Sequence, residues 1–434
     1  MFAAWRAGAA AVPLSARLRD YELRRILADA EASAIVCVDR HAGFSFADAL
    51  EGFAAAVPSL RLALVVDALG EVTDELGFGD HGPAAEPLGR DDVAAVLYTS
   101  GTTGEPKGAL VRHATELHCA AEMRAAIGLD EDDRCALVVP VSHAFGLLCL
   151  LTSLTAGAES VLVDRTLSPG PLVEAMERRS VTVLHGSPPL FAGFLSARPD
   201  GLASLRGGFT AGSHCPPELI ERLEGTGAAV LNCWGMTEIG AGTVCRATDP
   251  PHARGHTVGR PLPGYELRTA AHPAAGPGEG EIQVRGEHVT PGYFRRDELT
   301  AAAFDDGWFR TGDLGSIDAA GYVTISGRAK DVVHVAGFNV APAEVEGFLL
   351  THPDVQQAVV IGEPHPKMGE ALRAFVVPRA GADLGAPELV RFARAGIAGY
   401  KVPYAIELLP ELPALASGKP DRVALAAKDH SADG

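Results

Sequence analysis

The chain has 434 residues, and its 37 basic and 55 acidic side chains give a formal net charge of −18. Apolar residues make up 47% and charged residues 21%, which is typical of a folded globular protein and not of a disordered one. The length predicts two to four structural units. The acidic balance argues against a nucleic-acid-binding protein, because no basic stripe offsets it. An anionic ligand is not excluded, since a local pocket can be positive.

The seven cysteines indicate reduced thiols in a cytosolic protein. Their number is odd and none forms a C-x-x-C pair, which disfavours a disulfide framework or a zinc site. The N-terminus lacks the layout of a signal peptide. Residues 135–158 contain no charged side chain, but they include Pro140, His143 and two glycines. We therefore expect a buried strand, a loop and a core helix there, and no membrane association.

The first 90 residues predict alternating short elements. Helices are expected at 2–10, from Asp20 and at 46–57, and strands at 12–14, 34–38 and 60–66. The apolar face of the second helix is formed by Leu23, Ile26 and Leu27. Residues 67–90 are rich in glycine and acidic side chains, so a loop is expected there.

A Gly/Thr-rich stretch follows the apolar run at 93–98, which reads as a buried strand. The stretch consists of Thr99, Ser100, Gly101, Thr102, Thr103 and Gly104, and Lys107 comes three residues later. Such a loop can turn tightly and offer backbone N–H groups, hydroxyls and a positive charge, which together form a phosphate cradle. It is not a Walker A loop, because Lys107 is followed by Gly108 and not by Ser or Thr. On composition alone, a surface turn before a helix from about His113 fits equally well.

Strand and helix patterns alternate beyond the cradle. Strands are expected at 136–141, 160–163, 181–184 and 228–231, and helices at 171–179 and 216–223. This alternation predicts a parallel sheet covered on both faces. Residues 255–326 contain many glycines, prolines and short alternating runs, including a hairpin at 316–325, and predict a mainly β subdomain. A small α+β unit follows, with strands at 332–335, 358–361 and 374–377 and helices at 343–350 and 387–395.

Five further stretches contain residues suited to nucleotide chemistry. After the strand at 228–231, Trp234 offers a flat face, Thr237 a hydroxyl and Glu238 a carboxylate for Mg²⁺. The other candidates are Asp313 between glycines, Arg328 and Lys330 in a charged segment, Lys419 in a late polar loop, and His143 after Pro140. Each has an ordinary alternative: a turn with a core Trp, a turn Asp, an exposed linker, a solvated Lys, and a core His bonded to a backbone carbonyl.

The string Tyr-Thr-Ser-Gly-Thr-Thr-Gly-x-Pro-Lys-Gly at 98–108 resembles the phosphate loop of the adenylate-forming superfamily, which includes acyl-CoA synthetases, luciferases and peptide-synthetase adenylation domains. The motifs around Glu238, Asp313, Arg328 and Lys419 follow in the family's order. The resemblance implies a large N-terminal domain (1–329) of parallel-sheet α/β subdomains and a β subdomain, hinged to a small α+β C-terminal domain (330–434). It also implies that ATP and Mg²⁺ activate a carboxylic acid as an acyl-adenylate. The acyl group then passes to a thiol, coenzyme A, with release of AMP and pyrophosphate.

The resemblance also implies roles for individual residues. It assigns ATP contacts to residues 99–104, Lys107, Thr237 and Gly212, a nucleobase contact to Trp234, where relatives usually carry Tyr, and Mg²⁺ binding to Glu238. It implies that Asp313 contacts the ribose, that Arg328 contacts the ribose or a phosphate, and that Lys419 catalyses the first half-reaction. It also implies that Lys330 is the hinge, that Gly337 lines the pantetheine passage, and that His143 is the gate between the acyl pocket and the thiol route.

Departures from the family pattern leave alternatives open. Amino-acid-activating relatives usually place an Asp at the position of Ala144, so a plain carboxylic acid is expected, apolar or aromatic. His334 stands where several relatives carry Lys. Relatives also have further strands and helices before the equivalent of Phe2, so a misassigned start or a truncated first subdomain is expected. The alternatives are a nucleotide binder without turnover, and an enzyme that passes the acyl group to a carrier protein or another nucleophile.

Overall fold

A computed structural model describes residues 1–16, 18, 20–41, 44–67, 72–77, 88–100, 106–163, 168–329, 333–335, 338–340, 342–365, 368–397, 399–415 and 418–428. Several predicted site residues lie outside this part of the chain. They are Gly101, Thr102, Thr103, Gly104, Lys330 and Gly337, together with the side chains of Thr99 and Ser100.

The first unit is a small three-stranded sheet covered by two helices. The elements of this part of the chain are α1 (Phe2–Arg6), α2 (Asp20–Asp29), β1 (Ala34–Val38), β2 (Arg40–His41), β3 (Phe44–Ser45), α3 (Phe46–Ala56), β4 (Leu62–Val66) and β5 (Val72–Gly77). Strands β1, β4 and β5 form the sheet, α2 and α3 cover it, and β2 and β3 form a separate hairpin. Leu23 and Leu27 of α2 pack with Leu50 and Phe53 of α3 over this sheet, as the apolar spacing predicts.

Two expectations for this unit are wrong. The predicted loop at 67–90 contains β5, which pairs antiparallel with β4. The sequence of β5 is acidic and has a low intrinsic preference for a strand, so it forms a strand because it pairs with β4. The strand expected at 12–14 reduces to a single bridge between Ala11 and Ala95. Pro13 has no N–H to extend the ladder.

The predicted cradle begins as an antiparallel hairpin, formed by β6 (Val93–Ser100) and β7 (Pro106–Arg112). Leu97 faces Ala109, and both are buried. Helix α4 (His113–Ile127) begins where the sequence predicts and ends at Gly128, whose positive φ of 58° suits a helix C-terminus.

The largest layer is a seven-stranded sheet with helices on both faces. Its elements are β8 (Arg134–Leu137), α5 (Ala144–Ala156), β9 (Glu159–Leu162), α6 (Pro169–Arg178), β10 (Val183–Leu184), α7 (Pro188–Ala197), β11 (Gly207–Thr210), α8 (Pro217–Gly225), β12 (Ala229–Met236), β13 (Gly240–Val244), α9 (Pro251–His256) and β14 (Arg260–Pro261). The strand order is β14-β13-β12-β11-β10-β8-β9. The five strands from β9 to β12 are parallel, as predicted, and β13 and β14 add antiparallel pairs.

This sheet separates two apolar cores. Phe209 and Trp234 belong to the core on the side of α4 and α5, whereas Met176 and Phe194 belong to the core on the side of α6 to α8. The predicted site segment 232–236 is the end of β12 and not a loop after a shorter strand, because it pairs with β13.

The mainly β subdomain is confirmed by a five-stranded antiparallel sheet. It contains β15 (Tyr265–Ala270), β16 (Gly280–Gly286), α10 (Asp297–Ala303), β17 (Phe304–Asp305), β18 (Trp308–Ile317) and β19 (Val323–Arg328). Asp313 lies within β18 and not in a turn, and its partner across the ladder is Arg328 of β19.

The terminal unit is α+β, as the sequence predicts. It contains β20 (Val333–Val335), β21 (Phe338–Val340), α11 (Pro342–Leu350), β22 (Val355–His365), β23 (Gly369–Pro378), α12 (Ala386–Gly396), a 3₁₀ turn (Gly399–Lys401), β24 (Ala405–Leu408) and α13 (Arg422–Ala426). Its own apolar core includes Val345, Leu349 and Leu389.

Residues 135–158 fold as strand, loop and core helix. Across the described residues of the whole chain, no helix has the length and apolar character needed to cross a bilayer.

Candidate active site

A buried carboxylate lies beside the predicted cradle. Glu238 follows the end of β12, is 4% exposed, and receives hydrogen bonds on Oε1 from Lys107 Nζ at 3.2 Å and from the Tyr293 hydroxyl at 2.7 Å. The hydroxyl in turn accepts a bond from Lys107 Nζ at 2.9 Å. The predicted phosphate lysine and the predicted metal carboxylate therefore meet in one cluster.

The chemistry of this cluster fits a divalent cation. A buried carboxylate needs a compensating cation, and Lys107 supplies that charge here. No group of three or more His, Cys, Asp or Glu able to hold a metal occurs among the described residues. Mg²⁺ usually takes only one or two carboxylates and completes its shell with nucleotide phosphates and water. Glu238 is thus the residue that would hold Mg²⁺ together with ATP.

A second cluster joins β12, β18 and β19. Asp313 is 5% exposed, and its two oxygens accept different donors: Oδ2 from the Trp234 indole N–H at 2.8 Å and Oδ1 from Arg328 Nε at 2.7 Å. The Asp313 backbone N–H donates to the Thr311 hydroxyl. The predicted nucleobase and ribose residues are therefore bonded to each other.

Lys419 of the terminal unit lies within electrostatic range of this second cluster. Its side chain is exposed at the surface, yet surrounding atoms lower the pKa of its ammonium by desolvation. The nearby Arg328 guanidinium acts in the same direction, and the Asp313 carboxylate opposes it. The late polar loop is thus close enough to Asp313 and Arg328 for their charges to act on Lys419.

His143 is the residue that caps the N-terminus of α5. Its Nδ1 accepts the Phe145 backbone N–H at 3.3 Å, so the neutral ring holds its proton on Nε2. Burial, with a smaller contribution from the Lys419 charge, lowers the pKa of His143 to about 4. The ring is therefore neutral at pH 7, and its Nδ1 bond is to a backbone N–H, not to the backbone carbonyl of the ordinary alternative.

The remaining predicted residues border these clusters. Thr237 is half-buried in the turn between β12 and β13. Gly212 follows β11 with a φ of +91°, and a side chain added there would meet no atom within 4 Å. Open space at this glycine is compatible with a ligand lying against the backbone.

Tyr293 was missed by the sequence reasoning, although it lies in the segment Pro291-Gly292-Tyr293-Phe294. A tyrosine after Pro-Gly was a possible signal, but its two partners are 186 and 55 positions away in sequence.

Two surface cavities lie elsewhere. One of about 200 Å³ is lined by Glu224 and Arg254, and one of about 390 Å³ by Arg90, His118 and His288. Neither includes a residue of the two clusters. We identify the site by the convergence of charged side chains at the strand ends, which is where parallel sheets place ligands.

Known proteins match the chain over almost its whole length. The family model described as AMP-binding enzyme matches residues 1–294, and that of the AMP-binding enzyme C-terminal domain matches residues 344–419. A feruloyl-CoA synthase from an Amycolatopsis species is 35% identical over 429 residues, covering 96% of this chain and 84% of the relative.

Solved structures agree with this match. ATP-bound MatB from Rhodopseudomonas palustris is 29% identical, with a TM-score of 0.84, over 97% of this chain and 84% of that protein. O-succinylbenzoate coenzyme A synthetase from Bacillus subtilis, in complex with ATP and magnesium ion, is 28% identical, with a TM-score of 0.78, over 95% and 83%. The chain belongs to the AMP-binding enzyme family and is an acid–thiol ligase of the AMP-forming acyl-CoA synthetase type.

Proposed function

We propose that this chain activates a plain, apolar or aromatic carboxylic acid with ATP and transfers the acyl group to coenzyme A. The observation that supports this most is the position of Lys419. It belongs to the terminal unit, yet it lies within electrostatic reach of Asp313, Arg328 and His143 of the large domain. A cation delivered from a second domain into a nucleotide site is what the first half-reaction needs.

In that half-reaction a carboxylate oxygen forms a bond to the α-phosphorus of ATP, and the bond to pyrophosphate breaks. Both reactants are anions, so charge repulsion contributes to the barrier. Lys419 and Lys107 offset the negative charge that develops in the transition state. Mg²⁺ bound at Glu238 would neutralise phosphate charge. Asp313 and Trp234 hold the nucleoside, with Asp313 accepting hydrogen bonds from the ribose diol.

The second half-reaction requires the lysine to leave. The acyl-adenylate carbonyl is attacked by a thiol, and AMP departs. We propose that the terminal unit turns about Lys330, withdrawing Lys419 and opening the route past His143 and Gly337. Domain motions of this kind commonly gate turnover. The domain boundary at 329/330 and the hinge remain predictions, since Lys330 lies outside the described residues.

The substrate class follows from what stands beside His143. Ala144 begins α5 and has no carboxylate to pair with an α-ammonium group, so an α-amino acid would lack a counter-ion. The candidate residues for the acyl pocket are His143, Phe145, Ser187, Pro188, Ala211, Gly212, Met236 and Ile239. This set is mostly apolar and suits an apolar or aromatic acid.

Coenzyme A is the acceptor named for the relatives above, and a carrier-protein thiol is the alternative from the sequence.

The predicted cytosolic location rests on the seven cysteines, all of which are free thiols.

The test is ATP–pyrophosphate exchange across a panel of apolar, aromatic and amino acids, followed by addition of coenzyme A or a phosphopantetheinylated carrier protein. We expect exchange with some non-amino acids, none with amino acids, and release of AMP with coenzyme A. Exchange only with amino acids would overturn the substrate class. ATP binding without exchange for any acid, on this chain and on one extended upstream, would favour a nucleotide binder without turnover.

A further inference from the structure

The segment 290–294 ties the cradle hairpin to the loop of Glu238. Leu110 N–H donates to the Gly292 carbonyl at 3.0 Å, and Phe294 N–H donates to the Gly108 carbonyl at 2.8 Å. On the other side, Thr290 N–H donates to the Glu238 carbonyl at 2.7 Å. Tyr293 lies between these bonds, so its backbone is fixed relative to both Lys107 and Glu238.

The Tyr293 hydroxyl uses both of its hydrogen-bonding functions. It donates its proton to Glu238 Oε1 at 2.7 Å and accepts a proton from Lys107 Nζ at 2.9 Å. The ammonium also lies 4.3 Å from the centre of the tyrosine ring.

The Lys107 ammonium, the Tyr293 hydroxyl and Glu238 Oε1 therefore form three mutual hydrogen bonds. Among the described residues, the side-chain contacts to Glu238 are both to Oε1. A bond between Tyr293 and this oxygen restrains rotation of the carboxylate. It does so without adding charge, which a second lysine would do.

We infer that Tyr293 is a positioning residue for the first half-reaction. Its hydroxyl holds the Glu238 carboxylate in one orientation with Oε2 available to a divalent cation, and it holds Lys107 beside the cradle. When ATP arrives with its cation, Lys107 can turn to the phosphates, because the hydroxyl still satisfies Oε1. This inference deepens the proposed function and rests on it.

The alternative is that Tyr293 only fills space, since it is 7% exposed and packed. A phenylalanine at this position keeps the ring and the ring contact to Lys107, and removes both hydroxyl bonds. Tyr293→Phe therefore separates positioning from packing.

A matched control exists nearby. Tyr265 is also 7% exposed, and its hydroxyl donates at 2.6 Å to the carbonyl of Ile239, the residue after Glu238. It touches neither the Glu238 carboxylate nor Lys107 in any described contact. Tyr265→Phe removes a buried phenol bond next to the site without altering the orientation of the carboxylate.

The experiment measures ATP binding to the full chain by calorimetry across a Mg²⁺ titration and in EDTA, with no acid present. For Tyr293→Phe we expect the Mg²⁺ concentration at half-maximal ATP affinity to rise about tenfold or more, the loss typical of one hydrogen bond to a charged group. Binding in EDTA should change less than about threefold, because Lys107 keeps its contact with the ring at position 293 and its ion pair with Glu238. Tyr265→Phe should leave the Mg²⁺ dependence unchanged.

Equal shifts in both variants, or no shift in Tyr293→Phe, would overturn the inference. So would a Tyr293→Phe protein that loses ATP affinity equally with and without Mg²⁺. Because no acid is used, the result is separate from the substrate panel. A wild-type chain that binds MgATP but supports no exchange would contradict the proposed function while leaving the role of Tyr293 measurable. Failure of the wild-type chain to bind ATP would overturn both.

Discussion

The indole N–H of Trp234 donates a 2.8 Å hydrogen bond to Oδ2 of Asp313, a residue 79 positions later in the chain. The other oxygen of this carboxylate accepts from Arg328 at 2.7 Å. Each carboxylate oxygen can accept two hydrogen bonds, so both oxygens keep capacity for a ribose diol. The tryptophan, which stands where relatives usually carry tyrosine, thus orients the carboxylate expected to bind the ribose.

The Trp234→Phe variant tests this relationship. Phenylalanine keeps a flat ring for the nucleobase and removes the N–H donor, so Asp313 becomes a buried carboxylate lacking one partner. We expect about tenfold weaker ATP binding, since a hydrogen bond to a charged group contributes about 1.5–3 kcal/mol. Calorimetric ATP affinity is the measurement. In a cycle with Asp313→Asn the two losses should not add, and additive losses would show that the residues act independently.

The Lys419→Ala variant should separate the half-reactions. Acyl-adenylate formation, measured by pyrophosphate exchange, should fall about 10²–10³-fold, the cost typical of removing one group that stabilises transition-state charge. Conversion of chemically supplied acyl-adenylate with coenzyme A should change little, since Lys419 is proposed to have left by then. Adenylate formation at the wild-type rate would contradict its assignment.

A second lysine of the terminal unit provides the control for Lys419. Lys428 pairs with Glu407 at 3.5 Å, and no described contact joins it to either nucleotide cluster. The Lys428→Ala variant should retain both half-reactions, because an exposed ion pair contributes at most about 1 kcal/mol. A parallel loss of exchange in Lys428→Ala would indicate that the terminal unit had been destabilised.

The Arg328→Met variant should change the pH dependence of exchange. Desolvation lowers the pKa of Lys419, and the Arg328 charge lowers it further. Removing the guanidinium takes away a like charge and releases the Asp313 carboxylate to attract Lys419 more strongly. Both effects raise the pKa of Lys419. The fall of the exchange rate at alkaline pH, seen in its pH–rate profile, should therefore move to higher pH. A fall that stays in place, or moves to lower pH, would contradict the proximity of these groups to Lys419.

Short-range sequence signals predicted most of the fold. Apolar spacing located α2 and α3, and alternation located β16 and the hairpin at 316–325. No helix was predicted at α7, although its first two residues, Pro188 and Pro189, are well suited to a first helical turn. Strand β5 was missed because its stability comes from pairing with β4.

Candidate site residues were predicted where a motif is contiguous in sequence, as around Lys107, Glu238 and Asp313. The relations between motifs were not. Tyr293 meets Lys107 across 186 positions, and no local pattern encodes that distance. Likewise, local pattern placed Trp234 after the strand, whereas pairing with β13 extends β12 through it.

His185 predicts a pH dependence of stability. It is 1% exposed, its ring stacks on Phe209 with centroids 5.3 Å apart, and its Nδ1 accepts the Phe209 backbone N–H at 3.2 Å. Its Nε2 is buried without a hydrogen-bond partner among the described residues. Burial lowers the pKa of His185 from 6.5 to about 4.

The sign follows from which state binds the proton. Below pH 6.5 the unfolded chain takes up a proton at this histidine, whereas the native state stays neutral until about pH 4. The stabilisation from the neutral histidine is fully present above pH 6.5 and is lost as the pH falls towards 4. The loss of unfolding free energy amounts to about 2 kcal/mol at pH 5.

The His185→Phe variant keeps a stacking ring and cannot titrate. The loss of unfolding free energy between pH 7.5 and 5.0, measured by urea titration, should be about 2 kcal/mol smaller than in the wild type. Equal pH-dependent losses in His185→Phe and the wild type would show that His185 takes up its proton as readily in the native state as in the unfolded chain.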